Sequence, residues 1–405
     1  MKDDLTLPAR GKPGSGLARL VILLGLLNSF GPFSIDMYLS AFPTMANDMG
    51  TTQGGIQLTL SVFFFGLAAG QMFYGPISDR FGRRGPLVVG LLLYLAASWG
   101  LVFVRDIHAF IALRFAQALG GSAGMVISRA VVRDSFGVTD SAKVLTAIMA
   151  VQTIGPVAAP VLGAWFVTFW SWGACFVFTG FLGILALLLT LAFLWETHPR
   201  DSRVKRPPAG ILRDLAGLLR KRSYLGPALA SAMGSGSIFS FISASPYILI
   251  EIYGLSPSFY AYSFAGLSVA VAIVSQANFL LLRYHSARTL VLAGFGVMAF
   301  FGSIAAVFVA LWGMPCYAAF MAMLFLSVMS MPLVTANSTA LAMAGSGGMA
   351  GLASSLVGVL QFAFAALITF LVGALSWLVD FPMAFLIALC GVGGFTFTYL
   401  AGAVE

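Results

Sequence analysis

Long apolar runs alternate with short polar turns along this chain of 405 residues. The runs cover about 18–41, 54–75, 86–104, 108–131, 143–168, 172–195, 223–249, 258–282, 289–311, 314–340, 350–375 and 382–402. Most are long enough to cross ~30 Å of hydrocarbon as a helix, which takes ~20 residues at ~1.5 Å each. A helix also satisfies its own backbone N–H and C=O groups, as lipid demands. The pattern predicts an all-α membrane protein with twelve transmembrane helices. One stretch breaks the rhythm: 196–222 is polar and basic and contains Pro199, Pro207 and Pro208. It divides the chain into an N-terminal tail (1–17), a six-helix bundle (18–195), a basic linker (196–222) and a second six-helix bundle (223–405). Within the linker, Ile211 to Leu219 reads either as an amphipathic helix at the membrane surface or as a plain tether.

The charges are distributed unevenly. Lys2, Arg10, Lys12 and Arg19 precede the first run, Arg80, Arg83 and Arg84 follow the second, and Arg133 and Lys143 follow the fourth. Further bases fill the linker, and Arg283 and Arg288 follow the eighth run. Arg105 lies on the other side. The positive-inside rule makes the rich side cytoplasmic, with both termini inside. The net charge of +8 is thus a topology signal and not a nucleic-acid footprint. Composition agrees: 9% of residues are charged, against ~25% in soluble domains. Cys175, Cys316 and Cys390 lie in apolar runs, odd in number and without metal spacing, which implies neither a disulfide framework nor a metal site. The first run is too long for a cleaved signal peptide and carries Asp36.

Polar groups inside apolar runs are costly and therefore candidates for function. Asp36 lies near the end of the first run, and Asn28, Pro32 and Asp36 fall at i, i+4 and i+8 on one helical face. Arg114, Gln117 and Gly121 share a face of the fourth run. Arg114 is expected to find its partners among carbonyls or side chains of the first two helices, near Asp36 and Gln57. The fifth run carries Gly155, Pro156, Pro160 and Gly163. Its prolines kink the helix and its glycines admit a close neighbour. The second half is almost uncharged. There Phe239, Asn337 and Gln361 are candidates to line a cavity. The loop from Gly75 through Asp79, Arg80, Gly82, Arg83 and Arg84 packs four ionic groups between two apolar runs. No catalytic set appears, no nucleotide-binding loop is present, and no cofactor is implied, so an energy source must be a gradient.

The order Gly75, Asp79-Arg80, Gly82-Arg83-Arg84 resembles the loop between helices 2 and 3 of the major facilitator superfamily. The run from Arg114 to Gln117 resembles that superfamily's helix-4 motif, and Gly155 to Gly163 the helix-5 motif of its antiporters. Ile35 to Leu39 with Phe42-Pro43, Gln57 to Leu60, Ser128 to Ala130 with Arg133-Asp134, and Ala350 to Ser355 with Gln361 are similar to the bicyclomycin/chloramphenicol-resistance (Bcr/CflA) exporters. Ser40 departs from that pattern, and the second half lacks a full copy of the charged loop. The resemblance implies two packed bundles with a cavity opening alternately to each side. It further implies a monomer in the bacterial inner membrane that exports a small amphipathic drug against an inward flow of protons. Asp36 and Arg114 would couple the proton. Asn28, Asp36, Tyr38, Gln57, Gln117, Phe239, Asn337 and Gln361 would meet the substrate. A carboxylate that alternates between water and a dry bundle changes its hold on a proton. One proton moving down ~100–150 mV supplies roughly 2.3–3.5 kcal/mol. A lipid flippase and a proton-coupled nutrient importer are the rival readings.

Overall fold

The computed structural model describes residues 13–199, 208–313, 316–347, 349–376 and 381–401. Their regular structure is helical, joined by short turns, with no strand among the described residues. The helices are α1 (Pro13–Asp36), α2 (Phe42–Asp48), α3 (Gln53–Phe81), α4 (Arg84–Phe103), α5 (Ile107–Ser135), α6 (Val138–Phe169), α7 (Gly173–Phe193) and α8 (Pro208–Arg220). There follow α9 (Arg222–Pro246), α10 (Pro257–Leu281), α11 (Ala287–Trp312), α12 (Tyr317–Val328), α13 (Met331–Ala344), α14 (Ala350–Leu375) and α15 (Pro382–Ala401). Twelve spans result, because α1 with α2 and α12 with α13 each make one broken span.

Both breaks have a local cause. Pro43 stands at the start of α2 and has no N–H to give the Leu39 carbonyl. A single 3-10 turn over Leu39–Ala41 satisfies that carbonyl from the Phe42 N–H instead. The first span therefore runs to Asp48, beyond the expected end at residue 41, and places Asp36 well inside it. Pro332 in the first turn of α13 has the same effect on the tenth span. The linker helix α8 lays Leu218, which is fully buried, against the second bundle. That settles the choice between helix and tether in favour of a docked helix.

Within the first bundle α5 packs closely on α3 and α4, and small residues permit it. A side chain at Gly120 would strike the Gly90 carbonyl and the Tyr94 backbone. Between the bundles, α3 runs along α14 and α6 along α10. On the side away from the basic loops, the turn after Asp36 touches α9 and α10, and α2 touches the π turn Tyr247–Ile252 that follows α9. That end is closed. The basic end is not.

Candidate functional site

At the basic end a cavity of about 1110 Å³ opens between α3, α5, α8 and α14. Its inner end is marked by Gln71 of α3, which is buried and lies over Gly358 of α14, where a side chain would collide with it. Ser355 donates to the Gln71 carbonyl (3.0 Å). About two turns further from the basic face, Phe64 meets Phe239 at 4.5 Å between ring centroids, with Phe362 alongside at 6.3 Å. This aromatic cluster joins α3, α9 and α14 across the two bundles. Beyond it Ser61 donates to the Ala366 carbonyl (2.7 Å) and Gln57 to the Ser243 carbonyl (3.2 Å). The amide oxygen of Gln57, Oε1, is buried without a partner among the described residues.

Arg114 is fully buried in α5. Its Nη1 donates to Gln117 Oε1 (2.6 Å) and its Nη2 to the Ser34 carbonyl (3.0 Å). The guanidinium lies 4.1 Å from the ring of Phe63 and 4.3 Å from that of Tyr38. Desolvating a guanidinium costs several kcal/mol, and aromatic faces offset it by about 2 kcal/mol where water is excluded. Gln117 in turn donates to Ser98 Oγ (2.9 Å), and Tyr38 Oη bonds Thr59 Oγ1 (3.1 Å). Gln117 and Tyr38 are thus members of the scaffold around Arg114. The Ser34 carbonyl lies on the first helix, where the sequence places partners of Arg114.

Asp36 is 5% exposed, at the last residue of α1. It comes two residues after Ser34, which turns it about 200° around the helix and away from Arg114. Among the described residues no hydrogen bond or ion pair joins the two, so the expected proximity of Arg114 to Asp36 is corrected. The carboxylate lies instead within electrostatic reach of Tyr260 in α10, in the opposite bundle. Tyr260 Oη bonds Ser245 Oγ of α9 (3.4 Å). Asn28, two turns back along α1, donates to Ser128 of α5 (2.8 Å) and accepts from Gln152 of α6 (3.2 Å). It ties three helices together.

The glycines of α6 fit α1 against it. A Cβ at Gly155 would meet the ring of Pro32, and one at Gly163 would fall onto the Met37 carbonyl. Pro160 has no N–H, which leaves the Pro156 carbonyl without its helical donor. Ser268 of α10 donates to that carbonyl (3.2 Å) from the other bundle. In the second bundle Asn337 donates to Asn278 (2.7 Å) and Gln361 to Ser231 (2.7 Å). Both bonds hold neighbouring helices of one bundle together.

The charged loop centres on Arg83, which is 2% exposed. Nη1 donates to Asp79 Oδ1 (2.6 Å) and Ser78 Oγ (2.8 Å), and Nε to Asp134 Oδ2 of α5 (2.8 Å). Burial pulls its proton affinity down, but the hydrogen bonds and charges of Asp134 and Asp79 more than offset this and hold it above the ordinary arginine value. Gly82 ends α3 at φ 95°, a left-handed conformation that favours glycine. The Glu196 carboxylate accepts from the backbone N–H groups of Arg83 (2.8 Å) and Arg84 (3.3 Å), which caps α4 and adds a negative charge at its positive end. Arg84 also donates to the Leu191 carbonyl of α7 (2.8 Å). Arg80 stays outside this network and lines the cavity with Gly75. Gln71, Asn278, Ser268 and Glu196 were not singled out from sequence. Glu196 carried a signal, as the first of three acids in a basic linker.

This arrangement, two six-helix bundles closed at one end and hollow at the other, matches solved transporters across almost the whole chain. A peptide transporter crystallised with sulfate superposes with a TM-score of 0.78 at 13% identity, covering 98% of this chain and 96% of that one. At the level of sequence, a bicyclomycin resistance protein homolog of Haemophilus influenzae is 30% identical over 376 residues, 92% of this chain and 93% of the relative. A chloramphenicol resistance protein of Pseudomonas aeruginosa is 35% identical over 265 residues, 65% of this chain and 62% of that protein. The model of the Major Facilitator Superfamily matches residues 24–369, and the chain belongs to that superfamily, as a multi-pass membrane transporter and not an enzyme.

Proposed function

We propose that the chain exports small amphipathic drugs or metabolites across the bacterial inner membrane by alternating access, as a monomer, in exchange for protons, with both termini cytoplasmic. The drug-resistance names of its relatives support export, and the basic loops support the orientation. The observation that carries the proton-coupling reading is Asp36. A carboxylate this buried, with no cation beside it, is tolerated in the membrane only with a proton or with a cationic or polar guest. It stands where α1 meets the opposite bundle, so a change in the fit between bundles changes its access to water. In the arrangement described here cargo reaches the cavity from the basic face and moves inward past the aromatic cluster of Phe64, Phe239 and Phe362. Closure at that face and opening at the other exposes Asp36 to protons from outside. Protonation then weakens its hold on the cargo. Arg114, turned from Asp36, keeps the first bundle rigid, and the Arg83 network with Asp79 and Asp134 stabilises one of the two states.

Everted vesicles test this. Addition of a transported drug should dissipate an imposed pH gradient in vesicles holding the wild-type protein and not in vesicles holding Asp36→Asn. Drug export that proceeds without any proton movement sinks the coupling, and movement of lipid head groups in place of drug would make the protein a flippase.

A further inference from the structure

The walls of the cavity at the basic face hold more positive charge than their own carboxylates answer. We propose that this cavity binds amphipathic anions: an apolar body bearing a single carboxylate, sulfonate or phosphate. The inference rests on the export reading only in taking the cavity as the vestibule through which cargo enters; the anion sits at the basic face, separated from Asp36 by the aromatic cluster of Phe64, Phe239 and Phe362.

Four arginines line it, namely Arg80, Arg83, Arg129 and Arg133. Arg83 is committed to Asp79 and Asp134. The other three form no ion pair with any described residue. Among the described residues, Asp214 of α8 is the one further carboxylate on the wall. The positive-inside rule accounts for bases in loops, but Arg129 lies six residues before the end of α5. Arg129 and Arg133 stand four residues apart on one helical face. Like charges at that spacing repel, and an anion placed between them removes the repulsion while accepting charge-assisted hydrogen bonds. The tip of Arg133 reaches across to α14, where the absence of a side chain at Gly351 leaves it room. An anion held by Arg133 would therefore touch both bundles at once. Most of the rest of the wall is apolar, with Met72 of α3, Leu215 of α8 and Leu352 and Leu356 of α14, beside the neutral polar groups of Gln71, Ser78, Ser354 and Ser355. About 1110 Å³ accommodates a drug-sized body or a lipid head group with part of its chains.

Naphthalene-1-sulfonate and the uncharged naphthalene-1-sulfonamide share a ring system and differ in charge. Both are titrated by calorimetry into the purified full-length protein in phosphatidylcholine nanodiscs. The sulfonate should bind about ten- to thirtyfold more tightly, as one or two charge-assisted contacts predict. The double variant Arg129→Gln/Arg133→Gln should erase that preference and leave sulfonamide affinity within about twofold. Arg80→Gln, at the exposed end of α3, should lower the preference about threefold, and keeps the test decisive if the double variant does not fold. Nanodiscs containing phosphatidylglycerol assign the source. Competition against the sulfonate in the wild type alone identifies a lipid head group, and unchanged affinity identifies free cargo. Equal binding of the two probes by the wild type, or a preference that survives loss of Arg129 and Arg133, overturns the proposal. Export of an uncharged drug, measured separately in vesicles, shows whether the broader reading stands without it.

Discussion

The two bundles share one architecture and use opposite chemistry inside it. The first buries Asp36, Arg114 and Arg83, each below 6% exposure. The second is held by neutral pairs, Asn278 with Asn337 and Ser231 with Gln361. Charges in a dry interior are expensive and amides are much less so. The first bundle thus carries groups whose energies depend strongly on water and protons, and the second carries groups that do not. On the proposed reading, the first bundle handles the proton and the second supplies shape.

The strongest way to break this contrast is Asp36→Asn. It should remove drug-dependent proton movement in everted vesicles by more than about a hundredfold while the protein still reaches the membrane in normal amount. If coupling survives, the ionic character of the first bundle has another purpose. Next is Arg114→Ala, which leaves Gln117 Oε1 and the Ser34 carbonyl without their donor and should cost about 1–3 kcal/mol for each. It should appear as a large fall in melting temperature in detergent. Arg114→Lys should fall between, since a point charge cannot reproduce the planar fork. Because Arg114 faces away from Asp36, surviving protein should keep the wild-type pH profile of transport. A displaced profile would reinstate direct coupling between the two. Asp79→Ala should slow turnover about tenfold and leave drug affinity within about twofold, because it weakens one arm of the Arg83 network in one state only. Weakened binding at normal turnover would contradict that. The smallest effects belong to the neutral bundle. Asn337→Leu alone should cost ~1–2 kcal/mol by leaving Asn278 unpaired, whereas Asn337→Leu with Asn278→Leu should be nearly neutral. A double variant as damaged as the single would mean that the pair is needed for more than holding helices together.

How much of this was legible depends on how local the determinant is. Span number and the unequal charge of the two faces follow from composition over ~20-residue windows, because the bilayer imposes that length. That α6 admits a close neighbour was legible from Gly155 and Gly163, which lack the Cβ that Pro32 and Met37 would meet, but nothing in the run says that the neighbour is the first span. The break after Asp36 was hidden, as Pro43 acts on a carbonyl four residues back and the hydropathy of the run hardly changes. Arg114 announced itself by cost, but its partners Ser34 and Tyr38 lie about 80 residues away on another helix. Nothing in a local pattern fixes the rotation of one helix against another. The same limit placed Asp36 beside Arg114 in the sequence reading, when a turn of two residues sends them to opposite sides. It also concealed Asn278, whose importance rests on Asn337.

The serine on α10 that faces the prolines of α6 has a consequence for how the two helices part. A hydroxyl has one proton, and that of Ser268 lies within reach of two acceptors, the Pro156 carbonyl and the Phe264 carbonyl of its own helix (3.0 Å). When α6 and α10 part, Ser268 loses nothing, because it falls back on Phe264. Pro156 has no such refuge: its carbonyl would stand bare in a medium where that costs several kcal/mol. Separation is therefore inexpensive only once a water molecule has entered to replace the serine. Hydration at this one backbone oxygen would have to accompany the parting of the helices.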